Sequence, residues 1–449
     1  MRISSTLVSF VSILLAAQSL PKAVPAADGA APREAAEQRL KLADEIESHW
    51  RKELLPKWFP RCVDREHGGF FPDLREDWSL GDKQDKTIVY QARMTWVCAQ
   101  VAMRYPDARD EYLGYTRHGV ACLSRIMWDK EKGGFFWGLD NQGQVVSRYG
   151  DEKHAYGISF GLYACSAAYE ATHDADALEL ARKTFDWLEQ HSHDSKHGGY
   201  FEALTRDGQP IMQASPAPGR SVDHIGTRYG FKSMNSHIHL LEALTALYHV
   251  WPDPQVEKRL REVYLLVRDR IAVEPGCPNL FFTPDWRAVP DHDSFGHDVE
   301  TAFLLIEAAE ALHEPRDPRT LTVARSLVDH ALDWGWDEQR GGFYDRGAAF
   351  APAWKREKVW WTQAEGLNAL LLMHEHFGQS DPRYYRAFLQ QWDFIRKFQN
   401  DRRYSGWYES VSEEGEASPN QPKASIWKAA YHDGRALMNV SSQLRRLSH

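Results

Sequence analysis

Positive charge is in short supply in this sequence. Lys and Arg number 54 against 63 Asp and Glu, a formal net charge of −9. That balance provides no cationic field for nucleic acid or for an anionic membrane surface. Cysteine is scarce too: there are five, an odd number, with none of the paired spacings of a zinc site. Most sit in apolar helical patterns, which predicts buried thiols rather than a disulfide framework. No Gly-x-Gly-x-x-Gly and no P-loop string occurs, so dinucleotide and phosphate binding have no fingerprint. The sequence therefore assigns neither a cofactor nor a metal.

Long apolar runs are also missing. The one candidate, Leu7 to Leu20, is short and broken by Ser and Gln, which disfavours a membrane span. Arg2 precedes it and small residues follow at Ala26 and Ala27, the make-up of a secretory signal peptide over 1–26. The expectation is a secreted or periplasmic protein, free of the membrane after cleavage, with one domain over 27–449.

What the sequence does have is a repeat. Gly68-Gly69-Phe70, Gly133-Gly134-Phe135, Gly198-Gly199-Tyr200 and Gly341-Gly342-Phe343 are clear copies; Gly406-Trp407 is a degenerate one, and Leu280-Phe281 fills the gap. The first aromatics, at 70, 135, 200, 281, 343 and 407, are 65, 65, 81, 62 and 64 apart. The long third interval holds an insertion from Ala203 to Phe231. Asp253-Pro254, Asp317-Pro318 and Asp381-Pro382 keep the same beat as helix starts, with Asp107 and Asp174 in the equivalent places. A period of this length marks stacked supersecondary units.

Twelve helical patterns lie between the markers, starting near Arg33, Thr87, Arg109, His154, Ala175, Ser233, Pro254, Gly296, Pro318, Lys358, Pro382 and Ser425. Amphipathic helices alternate with helices that are apolar nearly all round, which predicts exposed and buried elements in turn. Six of each predict an all-α fold of two concentric rings, an (α/α)6 barrel, with short β-hairpins in the long loops at one mouth; an open helical solenoid is the alternative. The outer helices show no apolar face to spare, so no oligomeric state can be read.

The starts of the buried helices are polar and aromatic, and a barrel gathers them at one mouth. In MNSHIHLLE (234–242), Asn235, His239 and Glu242 are spaced i, i+4, i+7 and share a helix face, while His237 points away. That divergence argues against a helical zinc pair. His239 lies either on a site wall or in the core, bonded to Glu242. The string Gly157-Ile158-Ser159-Phe160-Gly161 has helical flanks, not the strand-turn-helix of a hydrolase nucleophile elbow.

FGHDVE (295–300), WWTQAE (360–365), Asn-x-His-x-His (235–239) and Trp-Lys-x-x-Tyr-His-x-x-Arg-Ala (427–436) together resemble the N-acylglucosamine 2-epimerase superfamily, which includes the cellobiose 2-epimerases. The resemblance covers nearly all the chain after the signal. It implies an (α/α)6 barrel and cofactor-independent inversion at C2 of a small reducing sugar, a cellobiose-type β-1,4 disaccharide, mannose or glucose, or an N-acylglucosamine. Proton transfer on opposite faces needs groups that titrate near neutrality, a task suited to His. By the resemblance, His297 and His432 are the acid-base pair, His239 assists ring opening or polarises O1, and Arg93 steadies the developing oxyanion; Glu300, one helical turn from His297, is spaced to orient it. Trp361 and Trp427 resemble sugar-stacking aromatics, with Tyr156 and Asn235 as hydrogen-bonding partners. Glu365 joins this substrate set, as support or as the buried partner of a neighbouring His. Rival readings are an aldose-ketose isomerase on the same site, a glycoside hydrolase or lyase, and a non-catalytic sugar-binding protein.

Overall fold

The computed structural model describes residues 30–213 and 220–449; the expected signal peptide lies outside them. Among the described residues, twelve long helices alternate in two layers. The outer ones are α1 (Ala30–Ser48), α3 (Arg109–Cys122), α5 (Ala175–Trp187), α7 (Pro254–Leu266), α9 (Pro318–Trp334) and α11 (Arg383–Phe394). The inner ones are α2 (Ile88–Arg104), α4 (Ala155–Thr172), α6 (Met234–Val250), α8 (Phe295–Ala311), α10 (Trp360–Phe377) and α12 (Tyr431–Arg446). Each inner helix packs on the next, and α12 returns to α2, so the inner ring closes. This is the (α/α)6 barrel; closure excludes the open solenoid. Inner helices bury residues all round, as α4 does from Ala155 through Ala168.

A repeated local device sets the mouth. In five loops an Asp (Asp64, Asp129, Asp194, Asp337, Asp401) precedes the glycine turn. Its Oδ1 accepts the backbone N–H groups two and three residues on, closing an Asx turn. The turn residues need left-handed backbone, as at Gly133 (φ +68°) and Gly134 (φ +72°), and glycine takes it without strain. The degenerate copy places Ser405 there at φ +65°. Flanking residues pair across each turn, for example Trp128 with Phe135, giving the expected short hairpins.

The other oxygen, Oδ2, takes a buried lysine ammonium just before the next inner helix: Lys86, Lys153, Lys232, Lys358 and Lys423 lie 2.5–3.1 Å from their Asp partners. Carbonyls complete the cage, as Gly198 and Pro284 do around Lys232 at 2.6 and 2.9 Å. The strand carrying each of the first three lysines and Lys358 pairs with a strand of the following loop, such as Lys86–Thr87 with Gly138–Leu139. The inner-helix starts are thereby pinned side by side.

The fourth unit departs from the pattern. Asp293 stands in the lysine position, against Asp298 and His330. His330 Nδ1 lies 2.8 Å from Asp298 Oδ2 and Nε2 lies 3.0 Å from the Ala349 carbonyl. Burial and the Asp298 charge push the Asp293 carboxyl up to about 9.

Two expectations need correction. Ser425 was expected to open the last helix, which instead starts at Tyr431. Ser425 Oγ caps the N–H groups of Trp427 and Lys428 and holds that stretch irregular. Asp107 is no N-cap: Ala108 holds that position and Asp107 pairs with Arg51. Asp253 and Asp317 do cap their helices, and Asp381 accepts from Arg383 N.

Candidate active site

The inner-helix starts enclose a cavity of about 390 Å³ at the loop-bearing mouth, within the range of small-ligand sites. Its walls include His239, His297, Glu300, His432 and Arg93, together with Tyr156, Asn235, Trp361 and Trp427. Nine of the ten residues singled out in the sequence therefore meet there. They come from α2, α4, α6, α8, α10, α12 and the segment before α12. Glu365 is the exception. It is fully buried behind His432 and does not reach the cavity, so it is placed to hold a histidine rather than a sugar hydroxyl.

His297 and His432 share an arrangement. Each has Nδ1 occupied: His297 by Ser294 Oγ at 2.8 Å, His432 by Glu365 Oε1 at 2.7 Å. Nε2, on the far side of each ring, is left for chemistry. Both rings pack on Trp361, with centroids 4.9 and 5.8 Å away. Burial lowers the pKa of His297 to about 3, with His239 adding to the effect. Burial, then Arg93 and Arg435, hold His432 well below 6.5. Both imidazoles are thus neutral at neutral pH and able to accept a proton.

Glu300 does not orient His297, as its spacing had suggested. Its carboxylate takes Arg435 Nη2 at 2.7 Å and stands 3.9 Å from His432 Nδ1. The helical spacing is right, but Arg435 reaches in from α12 and claims the oxygen. Arg435 is the residue the sequence reading passed over. It is buried among Glu242, Glu300 and Glu365, where one guanidinium's donors serve several carboxylates. The signal was present: Arg435 is the arginine of the last motif.

His239 lies on the wall and is also bonded to Glu242, with Nδ1 3.0 Å from Oε2. The two alternatives for it are compatible. Burial pushes the Glu242 carboxyl up, but Arg435 and His239 outweigh it and leave the value at about 2. His237 faces away: Nδ1 lies 2.6 Å from Ser233 O, and Nε2 accepts from Tyr200 N at 3.0 Å. Arg93 donates to Trp427 O at 3.0 Å and to Tyr156 Oη at 3.2 Å, with its guanidinium over Phe160. Ile225, Arg346, Trp360 and Glu409 complete the wall. Ile225 and Glu409 come from loops and Arg346 from a hairpin strand, where no helical phase pointed to them.

The chain compares closely with known proteins. It is 29% identical over 404 residues to a cellobiose 2-epimerase of Bacteroides fragilis, covering 89% of this chain and 98% of that one. It is 26% identical over 419 residues to a D-mannose isomerase of Marinomonas mediterranea, covering 89% and 97%. The solved cellobiose 2-epimerase of Spirochaeta thermophila superposes with a TM-score of 0.81 at 28% identity, covering 92% of this chain and 99% of that one. The model of the N-acylglucosamine 2-epimerase family matches residues 69–434, and with that match over most of its length the chain belongs to this family of epimerases.

Proposed function

We propose that the protein inverts C2 of a reducing sugar of the cellobiose type, with His297 and His432 as the proton-transfer pair. One observation carries the reading: two neutral imidazoles, His432 buried and His297 half-buried, meet at one tryptophan, each with Nδ1 anchored and Nε2 free. Two bases on opposite faces of a planar intermediate are what inversion requires.

Ring opening passes the O1 hydroxyl proton to one imidazole while O5 takes a proton from solvent, with His239 placed to assist. The other imidazole takes the C2 proton, now acidified by the aldehyde. Arg93 supplies positive charge for the resulting enediolate oxygen. The imidazolium charged at ring opening returns its proton to the opposite face of C2. On ring closure O5 returns its proton to solvent and O1 takes the proton held by the second imidazole, leaving both histidines neutral. Trp361 and Trp427 offer ring faces to the sugar, and Tyr156 and Asn235 offer hydrogen bonds.

The test is incubation with cellobiose, mannose and N-acetylglucosamine in D2O. Deuterium at C2 of an inverted aldose supports the proposal. A ketose carrying deuterium at C1 supports the isomerase alternative, which the similarity to a D-mannose isomerase keeps open. Failure to turn over any of the three sugars overturns both readings. Export is part of the proposal, and sequencing the mature N-terminus from producing cells tests it; a start at Met1 or Arg2 counts against it.

A further inference from the structure

Behind the cavity wall lies a cluster that the mechanism does not use. His154, at the N-cap of α4, is fully buried, and neither ring nitrogen has a hydrogen-bond partner among the described residues. An imidazole buried with both nitrogens unpaired is costly. Nδ1 faces two carboxylates at 3.7 Å (Glu202 Oε1) and 3.9 Å (Asp223 Oδ2). Asp223 Oδ2 is itself buried and unpartnered. These separations are too long for hydrogen bonds, and the three donor atoms lie within 4.8 Å of one another. An ion equidistant from them sits about 2.2–2.5 Å from each, near the usual metal–ligand range of about 2.0–2.6 Å.

No side-chain cation pairs with these carboxylates among the described residues. Lys153 is spent on Asp129, and the Arg220 guanidinium, whose charge is felt at Asp223, makes its contact with His224 Nε2 at 3.0 Å rather than with either carboxylate. The two such clusters that do not contain His154 differ on this point. Arg435 already supplies the positive charge beside Glu300, Glu365 and His432, and His330 has both ring nitrogens engaged beside Asp298.

We propose that His154, Glu202 and Asp223 form a binding site for one divalent transition-metal ion, of the Zn2+ or Mn2+ class. An imidazole with two carboxylates suits such ions better than Mg2+ or Ca2+, which prefer all-oxygen sets. Glu152 Oε2 lies 3.8 Å from the far nitrogen, Nε2, the side from which a carboxylate orients a metal-bound imidazole. Burial raises both ligand carboxyls, Glu202 well above its ordinary value and Asp223 to about 7; a bound cation offsets that cost. The ion fastens the insertion to the site. Asp223 belongs to the insertion, two residues before Ile225 on the cavity wall, while Glu202 accepts from Tyr156 N and Ser236 Oγ on the inner helices. Sequence spacing hides the set, since its members are at 154, 202 and 223.

The test uses the full chain, stripped with a chelator and titrated with Zn2+ and with Mn2+. It is read by calorimetry, by metal content after dialysis and by melting temperature. One equivalent of either ion, with a rise in melting temperature, is the expected result. Asp223→Asn keeps the Oδ1 acceptor for Ile225 N and Thr227 N but removes the ligand charge, and weakens binding by at least about 100-fold. Glu202→Gln is the second variant, and Asp298→Asn, in the other cluster, leaves binding unchanged. A wild type that retains neither ion, or an Asp223→Asn variant that binds like wild type, overturns the proposal. Because the readout is ion binding, its failure is separate from any failure of sugar turnover.

Discussion

Glu365→Gln isolates the charge behind His432. Gln keeps the size of the side chain and an oxygen to accept the Nδ1 proton, so the ring holds its place; the negative charge is lost. When His432 becomes an imidazolium, its charge centre lies about 4 Å from the carboxylate, given the 2.7 Å contact, which at an effective dielectric of about 20 is worth about 4 kcal/mol. That is about 10³-fold in rate. Arg435, 2.7 Å from the same oxygen, then bears on the imidazolium with one fewer carboxylate beside it, Glu242 and Glu300 remaining, an effect in the same direction. Because Glu365 does not line the cavity, kcat falls and KM barely moves. The assay is steady-state epimerisation above the carboxyl's pKa of about 7. A kcat within about threefold of wild type, or a loss confined to KM, would refute the reasoning.

Three further outcomes are expected. The acid limb of kcat/KM belongs to Glu365, which burial raises to about 7, and not to the imidazoles, which stay neutral well below 6.5; the limb vanishes in Glu365→Gln, and its persistence would reassign it. Lys232→Met strands the buried Asp194 carboxylate and costs about 3–5 kcal/mol in urea unfolding, whereas a loss under about 1 kcal/mol would mean the cage carries little stability. Asp293 holds its proton to about 9, against 3.8 ordinarily. The folded state therefore binds more protons over that interval, and stability falls as pH rises, by up to about 1.4 kcal/mol per pH unit. Asp293→Asn flattens this slope, and an unchanged slope would place the proton elsewhere.

Hydrophobic periodicity and the glycine-aromatic beat were enough to predict twelve helices, their alternation and the ring of six, because burial on one side or on all sides leaves a direct trace in residue order. The same helical phase separated His239 from His237. Nine of ten site residues were legible because they lie at inner-helix starts or, for Trp427, just before one, and closure of the barrel brings those starts together. Partnerships were not legible. Which atom Glu300 meets, and that Glu365 lies behind His432, depend on how far Arg435 reaches across from α12. The His154 cluster draws on three places up to 69 residues apart (223 − 154). Residue order determined which faces are buried, since that depends on neighbours within a turn or two. Charge pairing inside the barrel depends on distances of a few ångströms between helices remote in sequence, and only the closed tertiary structure decided it.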